Sequence, residues 1–99
     1  MSNATHASHP QPLAGQVAIV TGAASGIGRA TTALLHQRGA NIIAISLEQE
    51  VRDLECPGIV SLVADVADED SATQAVETAM RHFGRLDILV NNAGIITNK

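Results

Sequence analysis

The chain is predicted to fold as an α/β protein, a doubly wound parallel sheet with helices on both faces. Three observations carry that expectation. Four short stretches, Val17–Thr21, Asn41–Ser46, Ile59–Ala64 and Leu86–Val90, are apolar nearly throughout instead of alternating, as strands covered on both faces must be. Two stretches of helical periodicity lie between them, after Gly26 and after Asp68. Three glycines, Gly22, Gly26 and Gly28, crowd the point where the first strand gives way to the first helix.

The elements follow in order. Met1 to Pro12 is rich in Ser, Asn, Thr, His and Pro, with neither the basic start nor the apolar stretch of a signal peptide, and reads as a mobile tail before a domain at 13–99. After Val17–Thr21, the residues Ile27, Ala30, Thr31, Leu34 and Leu35 recur at helical spacing, so the first helix is expected to turn them to the core. Gly39 supplies the left-handed residue that closes it. The second strand, Asn41–Ser46, is followed by the short charged segment Leu47–Gly58, which has room for a turn or two of helix around Gln49–Leu54 before Cys56-Pro57-Gly58. The third strand ends at Ala64. Asp68 is a suitable N-cap, and Glu69 with Asp70 places negative charge in the first turn of the second long helix. There Ala72, Ala75, Val76, Ala79, Met80 and Phe83 form the expected core face, up to Gly84. Leu86–Val90 is the fourth strand and Asn91-Asn92-Ala93-Gly94 the turn after it. Right-handed crossovers then give a strand order of 3-2-1-4, with the fourth strand at an open edge.

Composition removes several classes of function. At 99 residues there is room for one small domain, and 45% hydrophobic residues suffice for a core. Phe83 is the single aromatic residue besides the histidines, so base-stacking nucleic-acid modules are disfavoured. A net charge of −4 argues against a phosphate-backbone binder. The lone Cys56 excludes an internal disulfide or thiolate metal cluster and reads as an incidental loop thiol with no activating His evident beside it. His36 and His82 lack a ligand partner at helical spacing and read as surface residues, and no metal site is expected. No run reaches the 18 apolar residues of a membrane span, so a soluble cytoplasmic protein is expected.

In a sheet of this kind, ligands bind beyond the carboxyl ends of the strands where the strand order reverses. Thr21-Gly22, Asp65-Val66 and Asn91-Asn92-Ala93-Gly94 all end at that edge. Gly22, Gly26 and Gly28 suit a tight turn, close approach of backbone to phosphate, and close helix–strand packing. Ser25 can offer a hydroxyl to a phosphate oxygen. Without a following Gly-Lys-Ser/Thr, the turn is not a P-loop. Taken singly, Asp65 also serves as a turn-former, and Asn91 and Asn92 as plain turn residues.

Together these motifs resemble the short-chain dehydrogenase/reductase family. The glycine spacing Gly22-x-x-x-Gly26-x-Gly28 is that family's form, Leu13-x-Gly15-x-Val17-Ala18-x-Val20-Thr21-Gly22 is similar to its opening strand, Asp65-Val66 to its adenine-contact pair, and Leu86-Asp87-Ile88-Leu89-Val90-Asn91-Asn92-Ala93-Gly94 to its fourth-strand signature. The resemblance runs from Leu13 to the end. It implies a partial Rossmann-like fold that binds NAD or NADP. Gly22, Ser25 and Ile27, with Gly26 and Gly28, would hold the pyrophosphate and nicotinamide end, Asp65 and Val66 the adenine, and Asn92, Ala93 and Gly94 the ribose side. Family members that use NAD often carry an Asp at the end of strand two. Ser46 stands there, followed by Leu47, which leaves room for a 2′-phosphate. With Arg29 as the nearest candidate cation, the balance is set toward NADP.

The family's catalytic Tyr, Lys, Ser and Asn all lie beyond its Asn-Asn-Ala-Gly turn. This chain has no Tyr, and its one Lys is Lys99, so no catalytic residue is assigned. The implied activity is hydride transfer between a nicotinamide cofactor and an alcohol or ketone, with this chain as the dinucleotide-binding half and any oligomer interface outside it. The alternatives are a non-catalytic dinucleotide-binding module and an inactive truncated fragment.

Overall fold

A computed structural model describes residues 11–92; most of the tail, together with Ala93 and Gly94, lies outside that range. Four strands, β1 (Val17–Thr21), β2 (Asn41–Ser46), β3 (Ile59–Val63) and β4 (Ile88–Asn91), form one parallel sheet in the order β3-β2-β1-β4. Helix α1 (Gly26–Gln37) links β1 to β2, a 3₁₀ helix (Gln49–Leu54) links β2 to β3, and α2 (Glu69–Phe83) links β3 to β4.

Strand side chains alternate between two cores, which is why the apolar runs are unbroken. Ala18, Val20, Ile42 and Ala44 join Ala23, Ala40 and Val51 on the face covered by α1 and the 3₁₀ helix. Val17, Ile19, Ile43 and Ile45 join Ala75 and Ala79 of α2 on the other. The doubly wound arrangement predicted from the sequence is the one observed.

Helix ends are also where the sequence places them. Asp68 accepts a hydrogen bond from the Asp70 N–H at 3.0 Å, and Gly84 closes α2 in the left-handed region. At the end of α1, the Gly39 N–H donates to the His36 carbonyl and the Ala40 N–H to the Leu35 carbonyl, a Schellman closure around Gly39 at φ 102°.

The helix faces are a correction. On α1 the buried residues are Gly28 and Thr32, with Leu35 half-buried, whereas Ile27, Ala30 and Leu34 of the expected stripe are exposed. The cause is closeness: α1 lies so near the β1 turn that only small residues fit between them, which rotates the larger ones outward. On α2, Ala75, Thr78 and Ala79 are buried, but Ala72, Val76 and Met80 are exposed. Val76 and Ala72 flank an apolar hollow of about 210 Å³ that also takes in Ile19, Ile45, Leu86 and Leu89.

The sheet edge is pinned by one carboxylate. The Asp87 carboxylate accepts from the Val17 N–H at 2.9 Å while the Asp87 N–H donates to the Val17 carbonyl at 2.9 Å, and Arg85 donates twice to the same carboxylate. These bonds, Arg85 foremost and then Val17, hold the Asp87 carboxyl below the usual range. Glu55 is likewise lowered, by hydrogen bonds from the Ser61 hydroxyl and N–H. A depressed carboxylate stabilises the fold above its unfolded pKa, and that stabilisation is lost as pH falls through the folded value. Melting temperature should therefore fall between about pH 5 and pH 3, and the Asp87→Asn variant should show a flatter profile over that window. Parallel acid limbs for the two proteins would refute the assignment.

Candidate functional site

At the carboxyl edge of the sheet, the ends of all four strands open into one cleft of about 510 Å³, within the range of small-molecule sites. Gly22 follows β1, Ser46 ends β2, Ala64 and Asp65 follow β3, and Asn91 ends β4; all of them line it. Leu47 and Glu48 wall one side, and Val66 and Ala67 another.

Local chemistry fixes each piece. Gly22 sits at φ 63°, a conformation that lets the chain reverse from β1 toward α1, and the next N–H, that of Ala23, is tied to the Ile45 carbonyl at 2.9 Å. A Cβ at Gly28 would overlap the Gly22 carbonyl oxygen and lie 2.7 Å from its carbon, so the glycine lets the helix touch the turn. Gly26 is at φ 58° with nothing within 4 Å of where a Cβ would stand. The turn is thus closed on the protein side and open on the other.

The two long helices differ at their starts. The first turn of α2 holds Glu69 and Asp70, which offset its positive end, whereas that of α1 has no acidic residue. Ser25, the N-cap of α1, makes no side-chain capping bond. The start of α1 is therefore suited to an anion. Ile27, 74% exposed in that same turn, offers an apolar surface beside it.

Asp65 orders its own loop by accepting from the Ala67 N–H at 2.9 Å, which leaves lone pairs of an exposed carboxylate for a donor in the cleft. Across the sheet the Thr21 hydroxyl donates to the Asn91 side-chain oxygen at 3.1 Å and links the ends of β1 and β4. Asn92 is half-buried, and its Nδ2 is buried with no hydrogen-bond partner among the described residues. An amide so placed can donate to a bound group that accepts hydrogen bonds.

Of the residues singled out in the sequence, Gly22, Ser46, Asp65 and Val66 share the cleft. Ser25, Gly26 and Ile27 form the exposed turn just beyond Gly22, with Gly28 buried beneath it. Asn91 lines the cleft and Asn92 follows it. Ala93 and Gly94 fall outside the described residues. Arg29 does not line the cleft; its guanidinium donates to the Ala24 carbonyl at 3.5 Å. Sequence reasoning missed Leu47, Glu48, Ala64 and Ala67, and an acid so soon after strand two was the available signal for Glu48. It also missed the neighbour of Cys56: the thiol lies 3.9 Å from His36 Nε2, which is itself 3.0 Å from the Pro57 carbonyl. No cluster of three or more His, Cys, Asp or Glu is placed for a metal among the described residues, and no helix there is long and apolar enough to cross a membrane.

Known proteins share this architecture. The family model for short chain dehydrogenases matches residues 16–99. The chain is 47% identical to the 3-oxoacyl-(acyl-carrier-protein) reductase FabG of Thermotoga maritima over 90 residues, 84% of this chain and 37% of that protein. It is 43% identical to the L-xylulose reductase of Mus musculus over 86 residues, 84% of this chain and 34% of that protein. The crystal structure of a 3-ketoacyl-(acyl-carrier-protein) reductase from Brucella melitensis complexed with NADH superposes at a TM-score of 0.74 with 30% identity, covering 78% of this chain and 34% of that one. A glucose dehydrogenase from Caenorhabditis elegans gives 0.76 with 33% identity, covering 82% of this chain and 38% of that one. The chain thus spans about a third of the length of the relatives it matches. With its glycine turn, strand order and cleft all in that arrangement, the chain belongs to the short chain dehydrogenase family.

Proposed function

We propose that this chain is the dinucleotide-binding part of an NAD(P)-dependent oxidoreductase that moves a hydride between the nicotinamide and an alcohol or ketone. The observation that carries the reading is the convergence of Gly22, Ser46 and Asp65 on one cleft beside the acid-free start of α1. The backbone N–H groups of that turn and the Ser25 hydroxyl hold the pyrophosphate. Asp65 accepts a hydrogen bond from the adenine amino group, Val66 packs against the ring, and the Asn92 amide donates to the ribose side, a role the family likeness extends to Ala93 and Gly94. Ile27 lies toward the nicotinamide, whose ring carries the hydride when the cofactor is bound.

The relatives' names, reductases of an acyl-carrier-protein ester and of a sugar, support a carbonyl or its alcohol as substrate. No described residue is assigned the proton transfer that accompanies hydride movement. Ser46 in place of a strand-end carboxylate leaves room for NADP as well as NAD. The site is proposed to work in the cytoplasm without nucleic acid or membrane, and oligomer contacts are assigned to parts of the fold beyond these strands.

Fluorescence titration of the folded chain with NADH and NADPH tests the reading. A saturable signal is expected, and Asp65→Ala should weaken binding roughly tenfold, the value of a hydrogen bond to a charged acceptor. A folded chain that gives no saturable signal with either dinucleotide would end the proposal.

A further inference from the structure

We propose that Glu48 sets the cofactor preference of this cleft and directs it to the dinucleotide whose adenosine ribose keeps a free 2′-hydroxyl. The inference rests on the cofactor reading above and sharpens it: the discriminating carboxylate missing from the end of β2 is supplied two residues later.

Glu48 lines the cleft together with Gly22, Ser46 and Asp65. It stands twenty residues beyond Gly28, the separation at which a dinucleotide-binding βαβ unit presents an acid to the ribose. Its backbone is held from both sides. The Glu48 N–H donates to the Ser46 hydroxyl at 3.0 Å, and the Glu48 carbonyl accepts from the Val51 N–H at 3.1 Å. Val51 is fully buried in the core under the 3₁₀ helix. These bonds fix the point at which the Glu48 side chain leaves the backbone, on the cleft wall.

The same bond changes the role of Ser46. One lone pair of its oxygen is taken by the Glu48 N–H, so Ser46 anchors the segment that carries the acid and keeps one O–H and one lone pair for a ligand. The charges facing the ribose settle the direction. Glu48 and Asp65 are the charged residues among those that line the cleft, and both are acids. Arg29, the cation nearest in sequence to the glycine turn, is turned to the Ala24 carbonyl instead. A ribose diol donates two O–H groups to a carboxylate, whereas a 2′-phosphate ester brings a further charge of about −1.5 to −2 against it, with no cation among the described residues that line the cleft.

The test is equilibrium titration of the folded chain with NADH and with NADPH at low ionic strength, for the parent, Glu48→Gln and Glu48→Arg. The parent should bind NADH about tenfold more tightly, equivalent to about 1.4 kcal/mol. Glu48→Gln should bring the two affinities within about threefold, and Glu48→Arg should reverse their order. Because Glu48 is exposed, added salt should narrow the parent's ratio by screening. Equal affinities in the parent, or a ratio unmoved by both substitutions, would overturn the role of Glu48 while leaving the cofactor site intact. Failure of a folded parent to bind either nucleotide would overturn the cofactor site, and this assignment with it.

Discussion

Gly28→Ala is expected to cost this chain about 3 kcal/mol of stability, the upper part of the range for overpacking, and to weaken dinucleotide binding at least tenfold. The added Cβ would overlap the Gly22 carbonyl oxygen, lie 2.7 Å from the carbonyl carbon and 3.2 Å from the Ala23 Cα. All three neighbours are backbone, so no rotamer change relieves the clash. The helix must move off the turn, or the turn must open. Either movement is felt in the core, because Ala23 belongs to the cluster that holds Ala18, Val20 and Ile42. On the proposed function it also weakens dinucleotide binding, because Gly22 lines the cleft and the same turn is assigned to the phosphates. Denaturant unfolding should show a lower midpoint with an unchanged slope, which marks a change in stability and not in the extent of folding. A Gly28→Ala protein that unfolds and binds NADH like the parent would remove the steric argument.

The strands were legible because a strand buried on both faces has a simple signature. Ile42-Ile43-Ala44-Ile45 admits no polar face, and the structure gives it none. Strand order followed from the doubly wound arrangement, and crossover handedness then decides which face each helix covers. The helix faces were less legible for a physical reason. Periodicity reports which residues are apolar, whereas burial depends on how near the helix approaches. At α1 the approach is made by Gly28 and Thr32, whose hydroxyl is returned to the Gly28 carbonyl at 2.9 Å, so neither registers as a hydrophobic position. Ile27 then lies outward, in the first turn of α1 beside the cleft.

The cleft divides in the same way. Gly22 and Asp65 were visible as strand-end residues of the right type. Glu48 carried a local signal, an acid two residues past β2, but its place on the cleft wall was not visible there; the Glu48 N–H donates to the Ser46 hydroxyl and seats it beside the Asp65 loop. Cys56 and His36, twenty residues apart, meet only because β3 returns beside β2. Local pattern finds what a strand end carries, and tertiary return decides what stands opposite it.

The central strand supplies the other large effect. Ile42 and Ile43 are adjacent in β2 and point to opposite faces, and both are 0% exposed. Ile43 packs with Val17, Ile19, Ala75 and Ala79 under α2, where the facing helix presents the two alanines, with Phe83 packed against the cluster. Little there can move to fill the space that a truncation leaves. Ile42 packs with Ala18, Ala40, Ala44 and Ile59 on the α1 side. Each Ile→Ala change should cost about 3–4 kcal/mol, transfer and cavity contributions together. That is a large part of the 5–15 kcal/mol available to a typical domain. Leu89→Ala, at a residue 65% exposed on the edge strand, should stay within about 0.5 kcal/mol and serves as the control. The comparison discriminates between architectures, since a sheet with one face in water would make one of the two β2 substitutions cheap. Urea midpoints lowered to a similar degree by Ile42→Ala and Ile43→Ala, with Leu89→Ala near the parent, are the result expected of a strand covered on both sides. A cheap substitution at either isoleucine would show that its face is not packed.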